Sequence, residues 1–442
     1  MKRKITLCAL AAAVLTSAGG CNFSDFGTND MLRPPKTMGE EAEIESLISQ
    51  TAPDGYILKY PKNGNHRSAI IMQDLDNDDN DEAIAFFREK DSVAGIHMLV
   101  MYEDGGEWKI SDDFITETTD IDSVEFANID DSEMLEIVVG YATYTPNVNF
   151  LSCYSYANGK TAAINTGSQN YSAFYCGNLD SSGKNKVITL SLFSTENEAK
   201  ATMLEYNSSK KSLYAKASVG MDPNVVKYKN VIFTDLSENV KGIVVDGSYA
   251  NDELTTQVIY FNKQLAVMRN PLNYKKPHNP TLRQSAVIST DFDNDMHAEI
   301  PIVSTLPYNK ADSGVFPADK IIWNTIDVSS ENLVAKQSVA VNYNFGYSIK
   351  LNDKWLPDTV TALKNQNGDI MTFYKWNKTK AESPLFEIRV FDISDWDQGK
   401  SDDKYTLIYK DTRYAYTFIN HDTDSDYSLS DDEIKTAFSV FS

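Results

Sequence analysis

Residues Ser68 to Phe87 read SAIIMQDLDNDDNDEAIAFF, a short apolar strand, an acidic loop and a second apolar strand. The plan recurs four more times. SVEFANIDDSEMLEIVVG starts at Ser123, SAFYCGNLDSSGKNKVITL at Ser172, NVIFTDLSENVKGIVV at Asn230 and SAVISTDFDNDMHAEIPIV at Ser285. The first loop position is Asp74, Asn128, Asn178, Asp235 and Asp291, giving steps of 54, 50, 57 and 56 residues. An apolar residue always follows it. Self-similarity at such a period marks an array of supersecondary units, none of which buries its apolar surface alone.

A second register runs in step with the first. Each acidic loop is followed by another strand pair around a turn: Asp104-Gly105-Gly106, Asn158-Gly159, Asn207-Ser208-Ser209, Asn262-Lys263 and Ser329-Ser330. Asn-Gly and Asp-Gly supply the positive φ that tight hairpins require. The first four turns fall 30, 30, 29 and 27 residues after the loop start; the fifth falls at 38, after an insertion around Pro307 to Pro317. Two hairpins per unit make a four-stranded antiparallel blade, and radial repetition of blades makes a propeller. The expected fold is therefore mainly β, a β-propeller of about five four-stranded blades over residues 51–342. YILKY at Tyr56 to Tyr60 completes or closes a blade.

These loops resemble the FG-GAP and VCBS repeats of integrin-α-like propellers, and the whole chain resembles the lipid-anchored VCBS-repeat proteins of bacteria. The resemblance covers residues from about 50 to 342. It implies calcium held by side chains at loop positions 1, 3, 5 and 9 and by a backbone carbonyl at 7. In the first loop these are Asp74, Asp76, Asp78 and Glu82, with Asn80 at position 7. In the fifth they are Asp291, Asp293, Asp295 and Glu299, with His297. Four carboxylates within nine residues repel one another unless a cation lies among them, and hard oxygen donors in an irregular loop suit Ca²⁺ better than Mg²⁺. The family's glycine at position 6 is replaced by Asp79 and Met296. The second loop keeps a weaker set, Asn128, Asp130, Ser132 and Glu136. Loops three and four carry Lys184, Lys186 and Lys241, whose ammonium groups can stand in for a metal, so no calcium is expected there.

Residues 343–442 lack the repeat. YSIKL, DTVTALK, DIMTFYKW, LFEIRVFDI, YTLIYK and YAYTFI alternate like half-buried strands, with Asn367-Gly368 as a hairpin turn. LSDDEIKTAFSVF places Leu429, Ile434, Ala437 and Phe438 on one helical face. Together they predict a small α+β C-terminal domain. Just upstream, Asp422, Asp424, Asp426 and Glu433 occupy positions 1, 3, 5 and 12 of an EF-hand-like loop, although Tyr427 replaces the glycine of position 6. Ser430 and Glu433 also form a capping box, which explains both residues without a metal and is the preferred reading.

The amino terminus reads as an address. Lys2, Arg3 and Lys4 precede an apolar run from Ile5 to Ala18 that is too short to span a bilayer. Small residues before Cys21 resemble a bacterial lipobox, with Ala18 where leucine is usual. The expectation is a lipoprotein signal over 1–21, a lipidated Cys21, and a tether with a short helix over 22–50 bearing Ile44, Leu47 and Ile48. Localisation is then the outer face of the bacterial cytoplasmic membrane or the cell envelope, with the lipid as the only membrane anchor. Cys153 and Cys176 are the other cysteines of the exported chain; both stand in apolar strand-like runs and read as buried thiols.

The 442 residues carry 41 Lys+Arg against 63 Asp+Glu, a formal charge of −22, with 42% hydrophobic residues. The apolar fraction excludes a disordered acidic chain. The acidity argues against nucleic acid as a partner. No His-Glu-x-x-His, Gly-x-Ser-x-Gly or phosphate-binding loop occurs, and the five histidines are scattered. Tyr141, Tyr144, Tyr154, Tyr156, Trp108 and Trp323 either stack on a ligand or, preferably, pack across strands. The leading reading is a non-enzymatic, calcium-stabilised surface protein binding a protein, peptide or glycan. The alternatives are a carbohydrate-active enzyme using propeller carboxylates and an accessory subunit of an envelope complex.

Overall fold

The computed structural model describes residues 38–442 except 93–94, 131, 146, 168, 196, 273–278, 311–313, 400–403 and 442. The expected signal peptide, Cys21 and the tether up to residue 37 lie outside the described residues. Helix α1 (Met38–Thr51) opens the described chain, with Ile44 and Ile48 buried against Ala83, Phe87 and Leu99 of the first sheet. No helix among the described residues is long and apolar enough to cross a membrane.

Five antiparallel sheets follow in chain order. The first holds Ile57–Lys59, Ile70–Gln73, Glu82–Arg88, Ile96–Asp104 and Glu107–Thr116. The second holds Asp120–Ala127, Glu136–Ala142, Asn149–Ala157, Lys160–Ile164 and Asn170–Tyr171. The third is Ala173–Gly177, Lys186–Ser191, Lys200–Asn207 and Ser212–Gly220; the fourth is Lys227–Ser237, Val240–Ser248, Leu254–Asn262 and Val267–Arg269. The fifth holds Ile300–Thr305, Asp319–Asp327, Asn332–Asn342, Tyr347–Lys350 and Phe438–Val440. The fold is mainly β, built of propeller-type blades. YILKY adds Ile57–Lys59 to the first sheet, paired with Phe86–Arg88 and end to end with Ile70–Gln73 on the same strand edge. The turns behave as their residues dictate: Asn158 and Gly159 both have positive φ, at 50° and 73°.

Blades pack face to face through alternating side chains. In Glu82–Arg88, Ala83, Ala85 and Phe87 face α1, while Ile84 and Phe86 meet Val139 and Tyr141 of the second sheet. The same two-sided burial joins the second sheet to the third around Val138 and Val187, and the third to the fourth around Ile188 and Val245. Each fully buried side chain of this size stabilises the fold by about 1.5–3 kcal/mol. Tyr141, Tyr154, Tyr156 and Trp323 are buried in this packing, whereas Tyr144 is exposed. Cys153 and Cys176 are free thiols, Cys153 buried as expected and Cys176 only half-buried; desolvation holds both above the ordinary thiol pKa.

The C-terminal region interlocks with the fifth sheet. Its own sheet contains Val360–Lys364, Ile370–Trp376, Ala381–Asp392, Thr406–Lys410 and Tyr414–Asn420, edged by Phe316–Pro317 from the fifth-blade insertion. Helices α2 (Ile393–Asp397) and α3 (Asp431–Ala437) accompany it. One core joins Leu306, Ala318 and Ala340 to Phe373, Phe386 and Phe418. The final helix is shorter than its sequence pattern suggests. Phe438 leaves it to pair with Ile349, its ring stacked 5.5 Å from Tyr347, because the edge of Tyr347–Lys350 offers a ladder that helix continuation would forgo.

The first strands of sheets two, three and four line a common polar cavity of about 370 Å³, bounded by Glu125, Tyr175, Lys227 and Asn230. Burial raises the Glu125 pKa above the ordinary carboxylate range. A carboxyl raised by burial opposes folding when ionised, so this penalty builds as pH rises from the unfolded pKa to the raised folded one, is complete above it and disappears below the unfolded value. Glu125→Gln is therefore expected to melt above wild type at pH 7, with the gap closing as pH falls toward 4 in scanning calorimetry.

Candidate functional site

In blades one to four the acidic loop joins the first and second strands, in blade five it leads into Ile300–Thr305, and loops one and five share one internal wiring. In loop one, the Asp74 carboxylate accepts from the backbone N–H groups of Asn77 at 2.7 Å and Asp79 at 3.1 Å, and Glu82 accepts from Leu75 N at 2.9 Å. In loop five, Asp291 accepts from Asp295 N at 3.0 Å and Met296 N at 2.9 Å, and Glu299 accepts from Phe292 N at 2.8 Å. Asp79 and Met296 adopt φ of 69° and 70°, the conformation that the missing glycine would supply. A non-glycine residue there costs about 1–2 kcal/mol, offset here by the hydrogen bond from its own N–H to the position-1 carboxylate. In both loops, carboxylate oxygens of positions 1, 3 and 5 lie within 4.8 Å of one another: Asp74, Asp76 and Asp78 in one, Asp291, Asp293 and Asp295 in the other. Asn80 and His297 stand at the carbonyl position, each N–H bound to the position-5 carboxylate.

The two loops differ in charge balance. In loop five, Lys336 Nζ donates to Asp293 and Glu299 at 3.0 Å each and also to Asp295. The Asp295 pKa is lowered by that bond, and the Lys336 pKa is raised, burial being outweighed by its three carboxylate partners. Loop one has no such cation among the described residues. Burial, with Asp78 and Asp74 adding, raises Asp76, while burial pushes Glu82 up to about 7. Asp76 Oδ1 is out of solvent contact and has no hydrogen-bond partner among the described residues. That orphaned oxygen, pointing among hard carboxylate donors, fits a divalent cation.

The other copies diverge as their residues do. In loop two, Glu136 accepts from Ile129 N and Asp130 N, Asp130 accepts from Ser132 N, and Asn128 Nδ2 donates to the Ser132 carbonyl. Lys184 of loop three reaches across to the Asp130 carbonyl at 2.9 Å. In loop three, Lys186 is buried within 3.7 Å of Asp180 and 3.5 Å of Glu205, and Lys216 bonds both acids. Loop four is a tight hairpin with Lys241 on Asp235 at 2.8 Å. At the C-terminal turn, Asp422 accepts from Asp424 N and Ser425 N, and the Ser430–Glu433 capping box is fully formed at α3. The segment entering that turn is the strand Tyr414–Asn420. Among the described residues, Asp422, Asp424 and Asp426 do not converge as the carboxylates of loops one and five do.

Sequence reading missed Lys336. It lies seven residues past the Ser329-Ser330 turn, and Lys216 lies nine past the Asn207 turn. The corresponding stretch of blade one, Ser111-Asp112-Asp113, has no lysine. A lysine at that offset was the available signal.

A second feature was also beyond the sequence reading. In blades one to four the strand before the loop pairs with the strand after it; in blade five that ladder stops after the single Thr290–Glu299 bridge. The next hydrogen-bonded pair would need the N–H of Pro301, which does not exist. Residues 283–289 are drawn instead to blade four. The fully buried Asp246 accepts from Arg283 at 2.9 Å, Ser289 N at 2.6 Å and Thr256 Oγ1, while Asn230 donates to the Ser289 carbonyl. Between this displaced segment and the fifth sheet lies a cleft of about 1140 Å³, floored by Phe292, Val303, Ile321, Trp323 and Val339. Phe292 and Trp323 stack at 4.8 Å.

No protein-family model and no curated protein sequence matches the chain. Among solved structures, a protein from Lactobacillus plantarum is 12% identical over 74% of this chain and 85% of its own, with a TM-score of 0.32. Saccharomyces cerevisiae Sqt1 is 10% identical, covering 83% and 97%, at 0.31. A Bacillus licheniformis rhamnogalacturonan lyase is 9% identical, covering 87% and 88%, at 0.30. The blade assignment rests on the strand pairing described above.

Breaking the buried pair leaves an uncompensated charge, which costs about 3–5 kcal/mol. Arg283→Met should lower stability by about that much in chemical denaturation; a loss below about 1 kcal/mol would show that Asp246 does not depend on its partner.

Proposed function

We propose that the protein is an exported, lipid-anchored binding protein, similar to the VCBS-repeat lipoproteins, that presents a calcium-stiffened propeller to a protein, peptide or glycan without transforming it. The observation that carries the binding role is the apolar cleft of the fifth blade. It is larger than a typical pocket of about 300–1,000 Å³ and is floored by aromatic and aliphatic side chains, as ligand sites are. The lipid attachment rests on Cys21 and the apolar segment before it.

Calcium is proposed for loop one first. Asp74, Asp76, Asp78 and Glu82 would hold the ion with the Asn80 carbonyl, and the ion would neutralise a cluster that no lysine among the described residues reaches. Its contribution is stiffness at the strand connection rather than chemistry. In loop five, Lys336 competes for the same carboxylates. Titration calorimetry of the full chain in detergent should show one Ca²⁺ site in wild type, none in Asp74→Ala, and two in Lys336→Gln. Two sites in wild type would mean that Lys336 yields to calcium; none in any variant would remove calcium from the proposal.

The binding role is tested in cells by placing a photo-crosslinking amino acid at Ile288, which is exposed on the cleft wall. The expected result is a discrete crosslinked adduct that is absent when the same group is placed at exposed Tyr144. Absence of any adduct at Ile288 would count against the role.

A further inference from the structure

The strand Ile300–Thr305 has one edge paired with Asp319–Asn324 and the other turned to the cleft. Glu299 exchanges both backbone hydrogen bonds with Thr290, so its N–H and C=O point to the cleft side. Antiparallel ladders alternate, so the backbone groups of Pro301, Val303 and Thr305 point the same way. That edge offers the Pro301 carbonyl and both polar groups of Val303 and Thr305 where each of the other four blades has its first strand. Two further groups are unmatched. Trp323 is 95% buried, lines the cleft, and its Nε1–H has no hydrogen-bond partner among the described residues. Asp319, register partner of Thr305, also lines the cleft; Lys364 acts on its carboxylate electrostatically, but no hydrogen bond between the two is seen among the described residues.

We propose that this cleft binds an extended polypeptide segment that adds to Ile300–Thr305 as the missing first strand of the fifth blade, with alternate apolar side chains on the Phe292–Trp323 floor and a lysine or arginine beside Asp319. The proposal rests on the binding role above and names its ligand class. Main-chain hydrogen bonds to a free sheet edge supply affinity in such recognition, and pockets for alternate side chains supply selectivity. Pro301 has a part in this. By denying the chain's own residues 285–288 a full ladder, it leaves the edge free, yet its carbonyl still accepts. The Asp246–Arg283 pair holds those residues aside. An anionic ligand would be repelled by the Asp319 carboxylate, and a polyhydroxylated one would leave the Val303 and Thr305 amides without a matching acceptor row; a peptide with a basic side chain meets both.

The test uses random linear octapeptides displayed on phage, selected against the full chain in detergent. Enriched peptides are expected to alternate apolar residues and to carry at least one lysine or arginine. A synthetic copy of the best peptide should bind wild type at least about tenfold more tightly than Val303→Pro, which deletes the open-edge N–H, or Trp323→Phe, which deletes the indole donor. N-methylation of alternate peptide amides should abolish binding to wild type, a control that needs no variant to fold. Equal affinity for the methylated peptide would overturn strand addition, as would the absence of enrichment. Concentration-dependent dimerisation in ultracentrifugation that Val303→Pro removes would also overturn it, because a second copy would then own the edge. A crosslinked adduct at Ile288 combined with any of these failures would leave the binding role standing and remove only the peptide assignment.

Discussion

The structure depends on one constraint: a sheet whose central strands are apolar on both faces has no stable position except between two other layers. Glu82–Arg88 is buried along six of its seven residues and Lys186–Ser191 along all six. A blade that obeys this rule must have neighbours, so the array is stable only as an array. At its start the missing neighbour is supplied by α1, which covers Ala83, Ala85 and Phe87. At the fifth sheet it is supplied by the C-terminal sheet, which packs on Ala318, Ala340 and Ile349. Exchange of Phe316–Pro317 and Phe438–Val440 between the two sheets makes that junction a shared core. The C-terminal region is thus structurally part of the blade array rather than a separately docked appendage.

Electrostatics then distinguishes units that the backbone makes alike. All five loops turn the chain into the strand that follows them in a blade, but each settles its charge differently. Loop three has a buried lysine bridging Asp180 and Glu205, loop four a hairpin ion pair, and loop five Lys336 brought from a strand 37 residues beyond Glu299. Among the described residues no lysine or arginine joins the Asp74, Asp76 and Asp78 carboxylates of loop one. Burial, with repulsion from Asp76 and Asp78 adding, pushes Glu82 up to about 7, a cost that a resident cation would relieve. An isolated surface lysine contributes little, but Lys336 is shared by three carboxylates and neutralises part of their charge.

Local signals were legible in the sequence and tertiary ones were not. The turns at Gly105 and Asn158 were readable because positive φ is a property of two residues. The capping box at Ser430 and Glu433 was readable for the same reason, as was the amphipathic face of α1. The blade array followed because two periodic registers agree. Lys336 escaped because nothing local ties it to Asp293, and its meaning depends on which strand lies beside the loop. The buried pair of Asp246 with Arg283 escaped likewise, since its members stand 37 residues apart in different repeats. Pro301 was visible but mute: only the hydrogen-bond phase set by Glu299 shows that its missing N–H faces the first-strand position.

That phase explains why blade five differs although its sequence matches blade one so closely. Ser285 to Thr290 has the residues of a first strand, and the Thr290–Glu299 bridge begins the ladder in the usual register. Two effects then act in the same direction. Pro301 removes one of the hydrogen bonds the strand would gain by continuing, worth about 0.5–1.5 kcal/mol net. Asp246, buried among Thr256, Arg283 and Ser289, offers the Ser289 amide a charge-assisted bond roughly twice as strong as a neutral one. Leaving Asp246 short of a donor would cost more than leaving an edge open to solvent, so the segment turns toward blade four. An open edge is ordinarily an aggregation hazard. Here it is recessed behind residues 282–288 and within reach of Asp319, which restricts access to chains that are extended and carry a compensating charge. The same charge satisfaction that pulls one strand out of its blade thereby shapes the space in which another could bind.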